Sequence, residues 1–197
     1  RIVGETGGKD FVIAHPSAHA NQVGTALVRG AFEFQGQKCS AASRAYLPDS
    51  LWSDIKEHII TDVESFKIGS PEDFSNFINA VIDEKAFDKI SSYIDYAKDS
   101  HDAEIIVGGK YNKDEGYYIE PTIIVTENPK FKTMQEEIFG PVLTIYVYQD
   151  DKFSETLDVL DETSPYALTG AIFSQDRYAI AEATKRLENA AGNFYIN

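Results

Sequence analysis

The sequence predicts a three-layer α/β/α fold around a mostly parallel sheet. Three observations carry this expectation. Short apolar runs of strand character alternate with amphipathic stretches almost from end to end, which is the pattern of consecutive βαβ units. The amphipathic stretches repeat apolar residues every three or four positions, one face of a helix. No internal repeat, low-complexity tract or linker breaks the 197 residues, so one domain over 1–197 is expected.

The elements follow in order. Phe11-Val12-Ile13-Ala14 reads as a buried strand. Pro16 and Ser17 then mark a helix entry, and Val23, Ala26, Leu27, Gly30, Ala31 and Phe34 supply its apolar face. The chain turns at Gly36 through Cys39 and enters a short strand at 43–48. Asp49 and Ser50 suit the cap of a second helix, whose stripe is Leu51, Trp52, Ile55, Ile59, Val63 and Phe66. Residues 67–82 read as a surface loop. A third helix is expected from about Asp83, with Phe87, Ile90, Ile94 and Ala97 inward. A strand at 105–107 and the turn Gly108-Gly109 come next. Pro121 within 117–125 points to an edge strand or an extended loop, because proline cannot donate to a ladder. Residues 134–141 read as an irregular connector. Val142–Tyr148 alternates as a strand, followed by a helix at 153–160, a strand at 168–173, a helix at 177–187 and the start of a last strand at 194–196.

Composition excludes several classes of partner. Eighteen Lys and Arg face 32 Asp and Glu, a net charge of −14. That argues against nucleic acid or an anionic membrane as partner, since both require a basic footprint. One cysteine makes no internal disulfide. No run of 18 apolar residues is present, so no membrane-spanning helix is expected. His15, His19, His58 and His101 show no metal-ligand spacing, and no metal is expected. His15 and His19 are read as surface residues. Neither a phosphate-loop spacing nor G-x-G-x-x-G occurs.

Three glycine-flanked polar positions stand apart from the packing pattern: Glu5, Cys39 and Glu137. Each lies at the end of a predicted element, where a rigid scaffold presents chemistry on loops. A thiolate nucleophile suits Cys39, and a carboxylate that activates water suits Glu5. By position alone other readings stay open. A lone cysteine is more often a small buried packing residue than a nucleophile, a turn glutamate more often simply exposed, and Glu136 and Glu137 also read as a solvated pair.

Together the three positions resemble the aldehyde dehydrogenase superfamily. Glu5-Thr6-Gly7-Gly8-Lys9 is similar to its E-L-G-G-K signature, Gly36-Gln37-Lys38-Cys39 to G-Q-x-C, and Glu137-Ile138-Phe139-Gly140-Pro141 to E-x-F-G-P. The 34 positions from Glu5 to Cys39 also match that family's spacing. Thr6, Ser40, Ser50-Leu51-Trp52, the run at 138–148 and the run at 191–197 resemble the branch that oxidises glutamate γ-semialdehyde.

The resemblance implies a catalytic domain of that family's type and a set of roles. Cys39 attacks the aldehyde and its own N–H helps hold the oxyanion. NAD accepts hydride. Glu5 activates the water that releases the acid. Glu137 binds the nicotinamide ribose and Phe139 packs near the nicotinamide. Gly8 and Lys9 shape the bend that carries Glu5, and Ser40 binds the carboxylate end of the small-molecule substrate. The likeness covers residues 1–197 but only one part of the family's full polypeptide. The expected partner is therefore the remainder of the same polypeptide, with its NAD-binding domain, in a homo-oligomeric full-length enzyme of the bacterial cytoplasm or the mitochondrial matrix. A substrate-anchoring loop is expected after Asn197, and little NAD binding or activity from this chain alone. Oxidation of another semialdehyde, ester or thioester hydrolysis without NAD, and a non-catalytic relative are the alternatives.

Overall fold

The computed structural model describes residues 1, 2, 4 and 6–197. Nine strands are described: β1 (Phe11–Ala14), β2 (Arg44–Pro48), β3 (Ala103–Val107), β4 (Tyr111–Asn112), β5 (Tyr118–Ile119), β6 (Thr122–Thr126), β7 (Val142–Tyr148), β8 (Thr169–Phe173) and β9 (Asn193–Ile196). Six helices join them: α1 (Ala20–Phe32), α2 (Asp49–Glu64), α3 (Glu84–Lys98), the single turn α4 (Lys132–Gln135), α5 (Phe153–Thr163) and α6 (Arg177–Arg186). Seven strands form one sheet in the order β3-β6-β7-β2-β1-β8-β9, and β4 pairs with β5 apart from it. Only β3 runs antiparallel within the large sheet. The expected α/β class with a mostly parallel sheet is therefore what folds.

The period-two pleat divides the core. Val12, Ala45, Leu47 and Ile145 face α1 and α2, whereas Phe11, Ile13 and Tyr46 face α3, α5 and α6. Helices on both faces of the sheet make the three layers. The parallel strands are buried on both sides, so β1 reads as a continuous apolar run and β2 as one after Arg44.

Several expectations are corrected. The first helix stops at Phe32 rather than continuing to Phe34. Phe34, Gln35 and Gly36 adopt left-handed φ values of 57°, 56° and 63°, and Phe34 is 69% exposed. Gly36 explains the stop, since a Cβ there would lie 2.2 Å from the Gly140 carbonyl oxygen. Asp49 and Ser50 do not cap α2 with their side chains: Pro48 is the N-cap, and the Ser50 N–H donates to Asp150 Oδ1 at 3.1 Å. The strand after Pro121 is not an edge, because β6 lies between β3 and β7. Pro121 precedes the ladder, so no bond is forfeited. The connector at 134–141 begins inside α4. His15 is half-buried, not a surface residue. It stacks edge-on against Phe153 at 4.8 Å, and its Nδ1 lies 2.9 Å from Ser17 Oγ.

The N-terminal edge of the parallel strands carries the motifs, and Asp10 ties that edge together. Its carboxylate accepts from the N–H groups of Leu168 and Thr169 at 2.8 and 2.9 Å and from Thr169 Oγ1 at 2.6 Å. Its carbonyl accepts from the Ser43 and Arg44 N–H groups, both at 3.2 Å. The starts of β1, β2 and β8 thus share one buried residue.

Candidate active site

The left-handed turn at 34–36 delivers Cys39 to the surface. The thiol is exposed, which removes the reading of Cys39 as a packing residue. The loop is fixed on both sides: Ala41 N–H donates to Lys38 O at 3.1 Å and Ala42 N–H to Gly30 O at 3.0 Å. Gln37 Oε1 also accepts from Ile82 N–H at 2.8 Å, pinning the loop to the approach of α3.

Two further segments close on this loop. A Cβ on Gly8 would lie 3.2 Å from the Cys39 carbonyl oxygen, and one on Gly7 would lie 2.9 Å from Glu137 Oε2. The Gly8 N–H donates to Glu137 Oε1 at 3.1 Å. The three sequence motifs therefore meet at one place, lining a narrow cleft that includes Gly8, Cys39, Glu137 and Phe139. Phe139 has a φ of 61° and is 41% exposed, so its ring stands at the mouth rather than in the core. Glu5 lies outside the described residues.

Ser40 takes the other side of the cysteine loop. It lines a cavity of about 260 Å³ with Asp10, Ala42, Thr169 and Tyr195, while Cys39 lines the cleft of Glu137. The loop thus separates two recesses. One offers a carboxylate and an exposed aromatic ring. The other offers hydroxyl groups beside apolar walls.

Electrostatics around the bend are unusual. Lys9 is 1% exposed, and its Nζ finds no hydrogen-bond partner among the described residues. Burial first, and then the neighbouring Arg44 guanidinium, lower its pKa to about 7, against the opposing pull of Glu137 and Asp10. Arg44 is equally buried. It donates Nε–H to the Lys9 carbonyl at 3.0 Å and, through one terminal nitrogen, reaches Tyr46 Oη at 3.1 Å and the Leu160 carbonyl at 3.0 Å. The family resemblance gives Lys9 only the shaping of the bend. Neither its burial nor Arg44 is signalled by the sequence, because both depend on which helices cover this face. Among the described residues no group of His, Cys, Asp and Glu is placed to hold a metal ion, and no helix is long and apolar enough to cross a membrane.

The Glu137 side fits a nicotinamide nucleotide. Its half-buried carboxylate is oriented by a backbone N–H and so can accept from a ribose diol, and the exposed Phe139 ring offers a flat face beside it.

A model of the aldehyde dehydrogenase family matches residues 1–197. The chain is 62% identical over its whole length to mitochondrial Δ1-pyrroline-5-carboxylate dehydrogenase of Dictyostelium discoideum and 52% identical to that of Danio rerio, covering 35% and 36% of those proteins. It superposes with a TM-score of 0.92 and 45% identity on the NAD-bound Δ-pyrroline-5-carboxylate dehydrogenase of Mycobacterium tuberculosis, covering 98% of this chain and 35% of that one. The chain spans about a third of the length of the curated relatives it matches.

Proposed function

The chain belongs to the aldehyde dehydrogenase family, and from that premise we propose that it carries the catalytic thiol of an NAD-dependent dehydrogenase that converts L-glutamate γ-semialdehyde to L-glutamate. The observation that supports this most is that Cys39 lines the cleft of Glu137 while the next residue, Ser40, lines a second recess. A thiol whose aldehyde adduct is to be oxidised needs the aldehyde on one side and the electron acceptor on the other.

The Cys39 thiolate adds to the aldehyde carbon, forming a C–S bond and an alkoxide. The Cys39 N–H donates to that oxygen as charge develops. NAD, when bound, supplies the two-electron acceptor that takes the thiohemiacetal to a thioester. Glu5 removes a proton from water, the hydroxide attacks the thioester carbon, and the C–S bond breaks to return the thiolate and release the acid. Glu137, whose Oε1 accepts from the Gly8 N–H, would accept hydrogen bonds from the nicotinamide ribose. Phe139 would pack near the nicotinamide. Ser40 binds the substrate's α-carboxylate end. The eukaryotic relatives are named mitochondrial; the matrix is the compartment in a eukaryotic source and the cytoplasm in a bacterial one. The remainder of the polypeptide completes the NAD site, in a homo-oligomer.

Steady-state kinetics of the full-length enzyme test the reading. We expect the highest kcat/KM with pyrroline-5-carboxylate, which opens to the semialdehyde in water. A preference for succinate semialdehyde or a long-chain aldehyde sinks the substrate assignment. Wild-type turnover in a Cys39→Ala enzyme sinks the mechanism.

A further inference from the structure

Helix α3 grips the loop that ends in Glu137. Tyr93 is 9% exposed on its inner face, and its hydroxyl donates to Glu136 Oε2 at 2.6 Å. Lys132 Nζ stands 4.9 Å and 5.2 Å from the ring centroids of Tyr93 and Tyr96, and the Tyr96 ring lies 5.1 Å from that of Phe131. The Glu136 N–H donates back to the Lys132 carbonyl at 3.0 Å. One turn earlier on α3, Ile90 fills the space beside Gly140, where a Cβ would approach it to 2.5 Å. The loop from 132 to 140 is therefore seated on one helix face at three points.

Packing alone does not call for the Tyr93 hydroxyl, since a phenylalanine has the same ring. What the hydroxyl adds is a charge-assisted bond to an otherwise exposed carboxylate. Glu136 has extended backbone, with φ −98° and ψ 140°. Successive side chains on extended backbone point to opposite sides. Fixing Glu136 toward α3 therefore turns Glu137 away from it, toward the Gly7-Gly8 bend, where Oε1 meets the Gly8 N–H. Burial and the Glu136 contact raise the Tyr93 phenol to about 12, so the hydroxyl keeps its proton to donate throughout the neutral range.

We propose that Tyr93 is a positioning residue which, acting through Glu136, sets the direction of the Glu137 carboxylate and thereby the affinity of the enzyme for NAD. The proposal rests on the ribose-binding role given to Glu137 above.

The test uses the full-length enzyme. Tyr93→Phe should raise the NAD dissociation constant, read by titration calorimetry without aldehyde, by about five- to ten-fold, the scale of one ordinary hydrogen bond and less than a bond to a charged group because the effect on Glu137 is indirect. KM for NAD should rise in parallel, while kcat and the aldehyde KM stay within about twofold, because the contact orders binding rather than the reacting atoms. Glu136→Ala, which removes the acceptor, should reproduce the effect, and the double variant should be no worse than either single one, as expected for two ends of one contact. Tyr96→Phe, which removes a hydroxyl from the same helix, should change none of these. A crystal structure of Tyr93→Phe should show Glu137 turned off the Gly8 N–H. An active Tyr93→Phe enzyme with wild-type affinity for NAD overturns the proposal and leaves the function intact. If Tyr93→Phe fails to fold, Glu136→Ala decides in its place: weakened NAD binding supports the proposal and wild-type binding overturns it. A folded wild-type enzyme that binds no NAD overturns the functional reading and this proposal together.

Discussion

Replacing Lys9 with methionine should stabilise the fold at neutral pH and flatten its pH dependence. Methionine keeps an unbranched stem of similar length and removes the amine. The native amine titrates at about 7, against 10.5 for the free side chain. Between those values the unfolded chain binds more protons than the native one, so stability must rise with pH. The penalty is full below about pH 7 and vanishes as pH approaches 10.5. At about 1.4 kcal/mol per pH unit, the fall from 10.5 to about 7 amounts to roughly 5 kcal/mol. Between pH 7 and 9 the native chain should regain about 2–3 kcal/mol of it. Urea unfolding of wild type and Lys9→Met at pH 7, 8 and 9 measures the difference. The Cys39 thiol and all other groups are common to both proteins and cancel. The gap should be widest at pH 7 and narrow by pH 9. Parallel curves would refute the reasoning, since they would mean that the amine holds its proton in a site with a partner.

Further outcomes follow from the same geometry. In the full-length enzyme, Cys39→Ser should lower kcat on the order of 10³-fold or more, because a hydroxyl is a far weaker nucleophile than a thiolate at neutral pH; single-turnover kinetics show whether acylation itself is lost. Glu5→Gln should still reduce about one equivalent of NAD in a burst while steady-state turnover falls by about 10²–10⁴, the span of general-base catalysis. A linear time course without a burst would move Glu5 out of the hydrolytic step. Gly36→Ala should destabilise the chain by about 2 kcal/mol or more, since its φ is +63° and its Cβ would meet the Gly140 carbonyl oxygen at 2.2 Å. Thermal unfolding reads that cost, and an unchanged midpoint would show that the two loops separate freely.

How far the sequence reaches depends on whether a feature is periodic or relational. The Ile55, Ile59, Val63 stripe is legible because one face of α2 is buried, and Val142–Tyr148 is legible because its β-branched and aromatic residues fill a strand covered on both sides. Periodicity misplaces Phe34, whose spacing continues the α1 stripe; what stops the helix is the approach of Gly36 to Gly140, 104 positions away. The missing donor of Pro121 suggests an edge, yet the ladder begins one residue later. Lysine is rarely buried unpaired, so nothing local announces Lys9. Tyr93 and Glu136 are 43 positions apart with no shared pattern. Cys39, Glu137 and Phe139 are singled out by the motifs and Ser40 by its place after the cysteine, and the fold brings all but Ser40 into one cleft.

The motif spacing succeeds for a steric reason. Segments 7–8, 36–39 and 137–140 meet backbone to backbone or backbone to carboxylate, and each meeting point lacks room for a side chain. The Gly7 position faces Glu137 Oε2, Gly8 faces the Cys39 carbonyl, Gly36 faces the Gly140 carbonyl and Gly140 faces Ile90. A thiol or carboxylate carried on such a segment sits within a few residues of its glycine, because only there do the chains come close enough to share a cleft. Polar residues flanked by glycine at element ends are thus a consequence of close approach. The same constraint predicts where tolerance to substitution ends. Side chains lining the Ser40 recess can change with the substrate, whereas the four glycines are bound to the geometry that holds Cys39 beside Glu137.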